Sequence, residues 1–196
     1  MNPYQIITDS CCDFPNAEYA KLGVSVVPLT VIYQGTAHAD SNGDCLKKLY
    51  DGMRSGERAS TSAVNPQRWA STMEKALKQG QDVLVMCFSS GLSTTYQSAV
   101  ISAEELREQY PERKILVVDT LCASMGQGLL VWYACQKRDA GMPLEELHAW
   151  VEENKLHLCH WFTVDDLMHL KRGGRISTTT ALVGTMLQIK PVLHVD

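Results

Sequence analysis

Clustered positive charge and long apolar runs are both scarce in this chain. Its 196 residues include 18 Lys and Arg against 22 Asp and Glu, a formal net charge of −4, whereas binding to nucleic acid requires clustered Lys and Arg that neutralise phosphates. No apolar run is long enough to span a membrane, and residues 1–5 do not resemble the start of a signal peptide. We therefore expect a cytoplasmic protein that has no integral membrane span and binds no nucleic acid.

The usual metal and nucleotide motifs are also missing. The six histidines include no pair at the helical spacing of zinc enzymes, and there is no glycine-rich phosphate-binding loop. His38, Asp40 and Asp44 could form a cluster, although a solvated loop explains them more simply. We expect no metal and no cofactor.

Cysteines are numerous but give no disulfide pattern. Their number, seven, is odd, and they are spread along the chain, which favours reduced thiols. The adjacent pair Cys11 and Cys12 could be a redox site, but neighbouring cysteines form only a strained bridge. Cys87, Cys135 and Cys159 lie in apolar runs and are predicted to be in the core.

Apolar runs alternate with segments of helical periodicity, and this alternation predicts an α/β fold with a parallel sheet covered on both faces by helices. The clearest strands are 4–8, 82–88 and 114–118. Helices are predicted over 16–23, 44–55, 66–79, 94–109, 123–139 and 144–154. Asn65 before Pro66 is a typical helix start.

Two further regions are assigned from the pattern of turns and apolar residues. The segment 24–33, the turn Gln34-Gly35 and the segment 36–39 read as a strand, a tight turn and a returning strand at a sheet edge, because Pro28 cannot donate to a central ladder. After residue 155 we predict a strand over 156–163, a short helix over 164–171, then one more helix and a strand around 190–195. We expect an N-terminal domain over 1–155 and the beginning of a second, incomplete α/β domain over 156–196.

Hydroxyl side chains are concentrated where predicted strands give way to helices, the place where parallel sheets bind ligands. Hydroxyls beside helix N-termini suit a carboxylate or phosphate, although capping and turn formation explain each one singly. The four segments are Thr8-Asp9-Ser10, Ser60-Thr61-Ser62, Ser89-Ser90-Gly91-Leu92-Ser93-Thr94-Thr95 and Asp119-Thr120.

Two motifs leave alternatives open. Gly91-Leu92-Ser93 follows a strand and opens a helix, as the nucleophile elbow of a serine hydrolase does, but Thr95 stands where that elbow needs a second glycine. The block 171–175 places three basic residues around a double glycine. The block could end a helix, with its basic residues complementing the negative end of the helix dipole. Alternatively, it could bring an arginine to a carboxylate.

Several short blocks, taken in order, form one pattern over nearly the whole chain. They are Ile7-Thr8-Asp9-Ser10 with Asp13-Phe14-Pro15, Val27-Pro28-Leu29, Thr61-Ser62, Ser89-Ser90-Gly91-Leu92-Ser93 with Thr95-Tyr96-Gln97-Ser98-Ala99, Val118-Asp119-Thr120, Val164-Asp165-Asp166-Leu167, and Leu170-Lys171-Arg172-Gly173-Gly174-Arg175-Ile176. In this pattern the chain resembles the DegV family of bacterial fatty-acid-binding proteins.

The resemblance implies a carrier and not an enzyme. Such a protein holds a long-chain fatty acid, such as palmitate or stearate, and presents its carboxylate to a separate fatty acid kinase subunit for phospholipid synthesis. It also implies that the carboxylate is bound by Thr61 and Ser93, with Ser62 and Thr94 adjacent and Arg172, in preference to Arg175, contributing charge. Thr94 replaces the glycine that is usual in the family. The alternatives are a hydrolase that uses Ser93 and a regulatory interaction protein without lipid.

Overall fold

The computed structural model describes residues 3–40, 44–164, 167–177 and 192–194. The chain divides into two compact units, Met1–Leu158 and Cys159–Asp196. The domain boundary predicted between residues 155 and 156 lies within a short 3₁₀ helix, Lys155–His157, of the first unit. Among the helices that the structure describes, none combines the length and apolarity needed to cross a membrane.

The first unit alternates strands and helices. Its strands are β1 (Tyr4–Asp9), β2 (Ser25–Val27), β3 (Thr30–Tyr33), β4 (Thr36–Ala39), β5 (Ala59–Ser62), β6 (Asp82–Cys87) and β7 (Ile115–Asp119). Its α-helices are α1 (Asn16–Lys21), α2 (Asp44–Arg54), α3 (Pro66–Lys78), α4 (Thr95–Gln109), α5 (Ser124–Asp139) and α6 (Leu144–Asn154), and a 3₁₀ helix, Ser10–Cys12, follows β1. The predicted helices are therefore confirmed to within two residues at each end.

Sheet A is a parallel sheet in the order β2-β1-β6-β7, which confirms the predicted α/β class. Side chains of β6 alternate between two buried clusters: Leu84 and Met86 pack with α5 and α6, whereas Val83, Val85 and Cys87 pack with α3 and α4. Because successive residues of a strand face opposite sides, a strand buried on both faces needs the continuous apolar run that the sequence shows. Each fully buried Leu, Ile or Val contributes roughly 1.5–3 kcal/mol.

Sheet B is antiparallel, in the order β4-β3-β5. The single strand predicted over 24–33 is wrong, because Pro28 and Leu29 separate β2, at the edge of sheet A, from β3 in sheet B. The predicted turn is present, with positive φ values of 50° at Gln34 and 75° at Gly35. Strand β5 was not predicted; its residues, Ala59–Ser62, are mostly polar and largely exposed, and pairing with β3 makes them a strand.

The predicted cap of α3 is confirmed. Asn65 Oδ1 accepts a hydrogen bond from Arg68 N at 2.9 Å, and Pro66 occupies the first turn, where its missing N–H costs nothing.

In the second unit, β8 (Trp161–Thr163) pairs antiparallel with β9 (Val192–His194), and α7 spans Leu167–Arg172. The strand predicted over 156–163 is wrong at its beginning, where a 3₁₀ helix stands. Cys159 is accordingly exposed, and its predicted place in the core is wrong. The helix predicted after residue 177 lies outside the described residues.

Helix α5 approaches the loop after β1 closely at Gly128. A Cβ atom at this position would lie 2.8 Å from the carbonyl oxygen of Cys12 and 3.0 Å from the Phe14 ring. Only glycine allows this approach without displacing backbone.

We expect Gly128→Ala to lower the free energy of unfolding by about 1–3 kcal/mol, since overpacking forces the backbone to shift. Chemical denaturation measures the change. Gly91→Ala is the matched control, because a Cβ there meets only Ser89 Oγ, at 3.5 Å. Equal effects of the two substitutions would contradict the argument.

Candidate functional site

The carboxyl ends of three neighbouring strands of sheet A meet at one edge. Thr8 of β1 is in register with Met86 of β6, and Cys87 of β6 with Asp119 of β7. Asp9 and Asp119 therefore flank the end of β6, one on each side. This edge is where a parallel sheet binds its ligands.

Asp9 is a fully buried carboxylate that accepts three hydrogen bonds. Its Oδ1 accepts from Cys11 N at 3.0 Å and Gln127 Nε2 at 3.2 Å, and its Oδ2 accepts from Phe88 N at 2.7 Å. Burial raises the pKa of Asp9 to about 6, while these donors pull it downward. The carboxylate is therefore ionised at neutral pH, and it fixes the first residue after β6.

Gln127 is a fully buried polar residue on the inner face of α5. Its Nε2 donates to Thr8 Oγ1 at 3.1 Å as well as to Asp9, and the close approach of α5 at Gly128 makes these contacts possible. Its buried Oε1 has no partner within the part of the chain that the structure describes.

Asp119 holds the same loop from the other side. Its Oδ1 accepts from Ser90 N at 3.1 Å and from Leu121 N at 3.2 Å. The amine of Lys155 donates to the carbonyl oxygen of Asp119 at 2.9 Å and pairs with Glu152 at 2.6 Å. A positive charge therefore lies beside this strand end.

The backbone amides of the loop after β6 are mostly used within the protein. Phe88 and Ser90 donate to the two aspartates, Ser89 donates to Cys122 O, and Leu92 and Ser93 donate to Ser89 O. The amides of Gly91 and Thr95 donate to serine hydroxyls. An anion at this edge would thus be met by side-chain hydroxyls more than by these amides.

Several of the strand-end hydroxyls that we expected at the site are turned inward. Thr8 and Thr120 are fully buried and donate to the carbonyl oxygens of Met86 and Cys87, both at 2.7 Å. Ser10 donates to Asp40 at 2.6 Å and accepts from Leu29 N at 3.0 Å. Thr8 and Thr120 thus satisfy carbonyls of β6, whereas Ser10 links the end of β1 to residues beside sheet B.

Ser93 and Thr94 lie where the loop enters α4. Ser93 is half-buried; its Oγ lies 2.8 Å from Thr95 Oγ1 and accepts from Thr95 N at 3.2 Å. Thr94 is the exposed cap residue and makes no side-chain capping bond. Among the residues that the structure describes, the partners of the Ser93 hydroxyl are a hydroxyl and an amide, and neither is a base that could activate it for hydrolysis.

Thr61 and Ser62 are both exposed on β5. Thr61 pairs with Val31, and Ser62 with Thr30. Because successive side chains of a strand point to opposite faces, the two hydroxyls lie on opposite faces of sheet B.

Helices α3 and α4 connect the two hydroxyl-bearing segments. Trp69 Nε1 donates to Thr95 O at 3.2 Å, and Ser102 Oγ donates to Pro66 O at 2.6 Å. Ser62 precedes α3 by a short loop and only Thr94 separates Ser93 from α4, so both segments lead into helices that pack together. Contact of Thr61 and Ser93 with one head group stays a prediction.

A cavity of about 340 Å³ lies between the β3–β4 hairpin and α2. Its lining includes Val31, His38 and Leu49. Since Thr61 pairs with Val31, Thr61 is on the face of sheet B that borders this cavity.

Arg172 is exposed at the end of α7 in the second unit. Arg175, the alternative, donates to the carbonyl oxygen of Gly173. The role of Arg172 at the head group stays a prediction.

The described residues include no group of three or more His, Cys, Asp or Glu that could hold a metal ion. Burial raises the pKa of the Cys11 and Cys12 thiols far above the usual range. Both thiols are therefore protonated and poorly reactive, which argues against a redox role for the pair.

The chain is similar to known proteins along nearly its whole length. The model of the DegV family, described as uncharacterised proteins, matches residues 3–196. A DegV domain-containing protein of Clostridium perfringens is 46% identical over all of this chain and 68% of its own length. The chain belongs to the DegV family.

Solved structures of DegV proteins share the fold. A DegV family protein from Thermus thermophilus, described as fatty acid binding, is 35% identical with a TM-score of 0.85, covering 100% of this chain and 68% of its own. A stearic-acid-binding protein from Eubacterium ventriosum is 26% identical with a TM-score of 0.77, covering 91% and 63%.

Three residues of this DegV chain shape the sheet edge in a way that was not predicted. Asp9 and Asp119, named above only within hydroxyl-rich segments, are acceptors for the loop, and Gln127 is a neighbour of Asp9. A signal was present for each. Both aspartates follow an apolar strand and precede a hydroxyl residue, and Gln127 is a polar residue on the otherwise apolar face of a predicted helix.

The burial of Asp9 predicts a pH dependence of stability. The native carboxyl keeps its proton up to about pH 6, whereas its ordinary pKa is 3.8, so the native state binds more protons between these values and loses stability as pH rises. Relative to Asp9→Asn, the wild-type free energy of unfolding should fall by about 2 kcal/mol between about pH 4 and pH 7.

Denaturant titrations across this pH range measure the difference. Asp139→Asn, at an exposed surface position, should give a profile parallel to that of the wild type. A parallel profile for Asp9→Asn as well would show that the pKa of Asp9 is not raised.

Proposed function

We propose that this chain binds a long-chain fatty acid and acts as a carrier. The observation that carries the proposal is the match of its whole length to the fatty-acid-binding DegV protein of Thermus thermophilus, with a TM-score of 0.85. The similarity to a stearic-acid-binding protein favours an acyl chain about as long as that of stearate. No metal or cofactor is required by this function.

The head group would be held by hydroxyls. Ser93 is half-buried at the entrance to α4, and rotation of its hydroxyl away from Thr95 would allow it to donate to a carboxylate. Thr61 is assigned as the second donor, with Ser62 and Thr94 adjacent. Because Thr61 and Ser62 face opposite sides of β5, only one of them is expected to contact the carboxylate directly.

The acyl tail would supply most of the affinity. Each buried methylene contributes about 0.8 kcal/mol, so a long chain outweighs one or two hydroxyl contacts of about 0.5–1.5 kcal/mol each. The hydroxyls, with Arg172 as the proposed cation, would fix the orientation of the head group.

Protein purified from cells should release a long-chain fatty acid on denaturing extraction, as detected by mass spectrometry. After delipidation, stearate should raise the melting temperature, since a ligand that binds only the folded state stabilises it. Ser93→Ala, Thr61→Val and Arg172→Gln should each weaken stearate binding about three- to tenfold.

Ser60→Ala serves as the matched control for Thr61→Val, because Ser60 faces away from Thr61 on β5. Arg175→Gln tests the alternative arginine, and a larger loss there than in Arg172→Gln would assign the cation to Arg175. No extracted lipid together with no thermal shift would refute fatty acid binding and favour an interaction role. Labelling of Ser93 by a fluorophosphonate would favour the hydrolase.

We further propose that the bound acid is presented to a separate fatty acid kinase subunit. A carboxylate oxygen would attack the γ-phosphorus of ATP, and the bond to ADP would break, giving an acyl phosphate. The resemblance of the sequence to the family supports this step.

Acyl phosphate, trapped as a hydroxamate with hydroxylamine, should form only when this chain, stearate, ATP and a fatty acid kinase subunit are combined. The chain with ATP alone should give none, because its proposed role is to hold the substrate. Formation of hydroxamate by the chain alone would show that it is itself an enzyme.

A further inference from the structure

Two carboxylates, one from each strand beside β6, accept hydrogen bonds from backbone amides of the same loop. Asp9, at the end of β1, accepts from Phe88 N, and Asp119, at the end of β7, accepts from Ser90 N. The loop between β6 and α4 is therefore held from both sides within its first three residues.

These two hydrogen bonds also restrain Ser93, through the backbone of the loop. Ser89, which lies between the two anchored residues, is buried, and its carbonyl oxygen accepts from Leu92 N and Ser93 N, both at 3.1 Å. Movement of Phe88 or Ser90 would displace Ser89, and with it the Ser93 hydroxyl.

We propose that Asp9 and Asp119 are positioning residues for the fatty-acid head group: by accepting the amides of Phe88 and Ser90, they fix the loop that carries Ser93. The inference rests on the proposed function and names two further residues of that site. Neither carboxylate touches the ligand in this arrangement.

The two aspartates use their oxygen atoms differently. Asp9 needs both oxygens, because Oδ1 accepts from Cys11 N and Gln127 Nε2 while Oδ2 accepts from Phe88 N. Asp119 uses Oδ1 for both Ser90 N and Leu121 N, and its Oδ2 accepts no hydrogen bond from the residues that the structure describes. Asparagine, with one acceptor and one donor end, can therefore replace Asp119 but not Asp9.

The test compares amide and alanine substitutions at both positions in the full chain. Stearate affinity should fall about tenfold in Asp119→Ala, which loses the acceptor, and return to within about threefold of wild type in Asp119→Asn. Asp9→Asn should lose about tenfold or more, because its amide group would face a backbone N–H. Asp139→Ala, at an exposed position, should bind as the wild type does.

A ligand-independent measurement separates this inference from the proposed function. Hydrogen exchange of the Phe88 and Ser90 amides should accelerate in Asp9→Asn and Asp119→Ala, and remain slow in Asp119→Asn. Failure of the wild type to bind stearate would refute the proposed function alone. Equal losses of stearate affinity in Asp119→Asn and Asp119→Ala would overturn the positioning role, and so would slow exchange in every variant. The two Asp119 variants test this role even if the Asp9 variants do not fold.

Discussion

The hydrogen bond between the buried carboxylate of Asp9 and the amide of Phe88, 2.7 Å long, is the contact on which the candidate site depends. A carboxylate buried in an apolar core is stable only when donors surround it. Here the donors come from the following 3₁₀ helix, from the loop after β6 and from α5. Satisfying one charge therefore fixes three segments relative to one another.

The need of buried carboxylates for donors also explains where the backbone amides of the loop point. At the carboxyl edge of a parallel sheet, free amides commonly receive an anionic ligand. In this chain the amides of Phe88 and Ser90 are directed at aspartates instead, and further amides are taken by Ser89. The proposed fatty-acid carboxylate would therefore meet hydroxyls, an arrangement suited to reversible holding of a lipid more than to strong capture of a multiply charged anion.

Sheet B shows how polar residues can form structure that their composition does not predict. Residues 59–62 carry no apolar alternation, yet they form a strand because β3 offers unpaired backbone groups beside them. Conversely, the apolar run 24–33 is interrupted at Pro28, and its two parts join different sheets. Periodicity identified the helices well, because a helix forms its backbone hydrogen bonds within its own segment. A strand instead forms them with a partner that is distant in the sequence.

The sequence by itself determined the α/β class, the helices of the first unit, strands β1, β6 and β7 of sheet A and the family, because these depend on local periodicity and on short ordered motifs such as Thr8-Asp9-Ser10. Only the tertiary structure decided which strand-end residues act together. Thr8 and Thr120 turned inward while Ser93 stayed at the surface of the loop, and Gln127, far along the chain, completed the surroundings of Asp9. Such contacts follow from the need to satisfy buried polar groups in three dimensions, a need that the order of residues along the chain does not reveal.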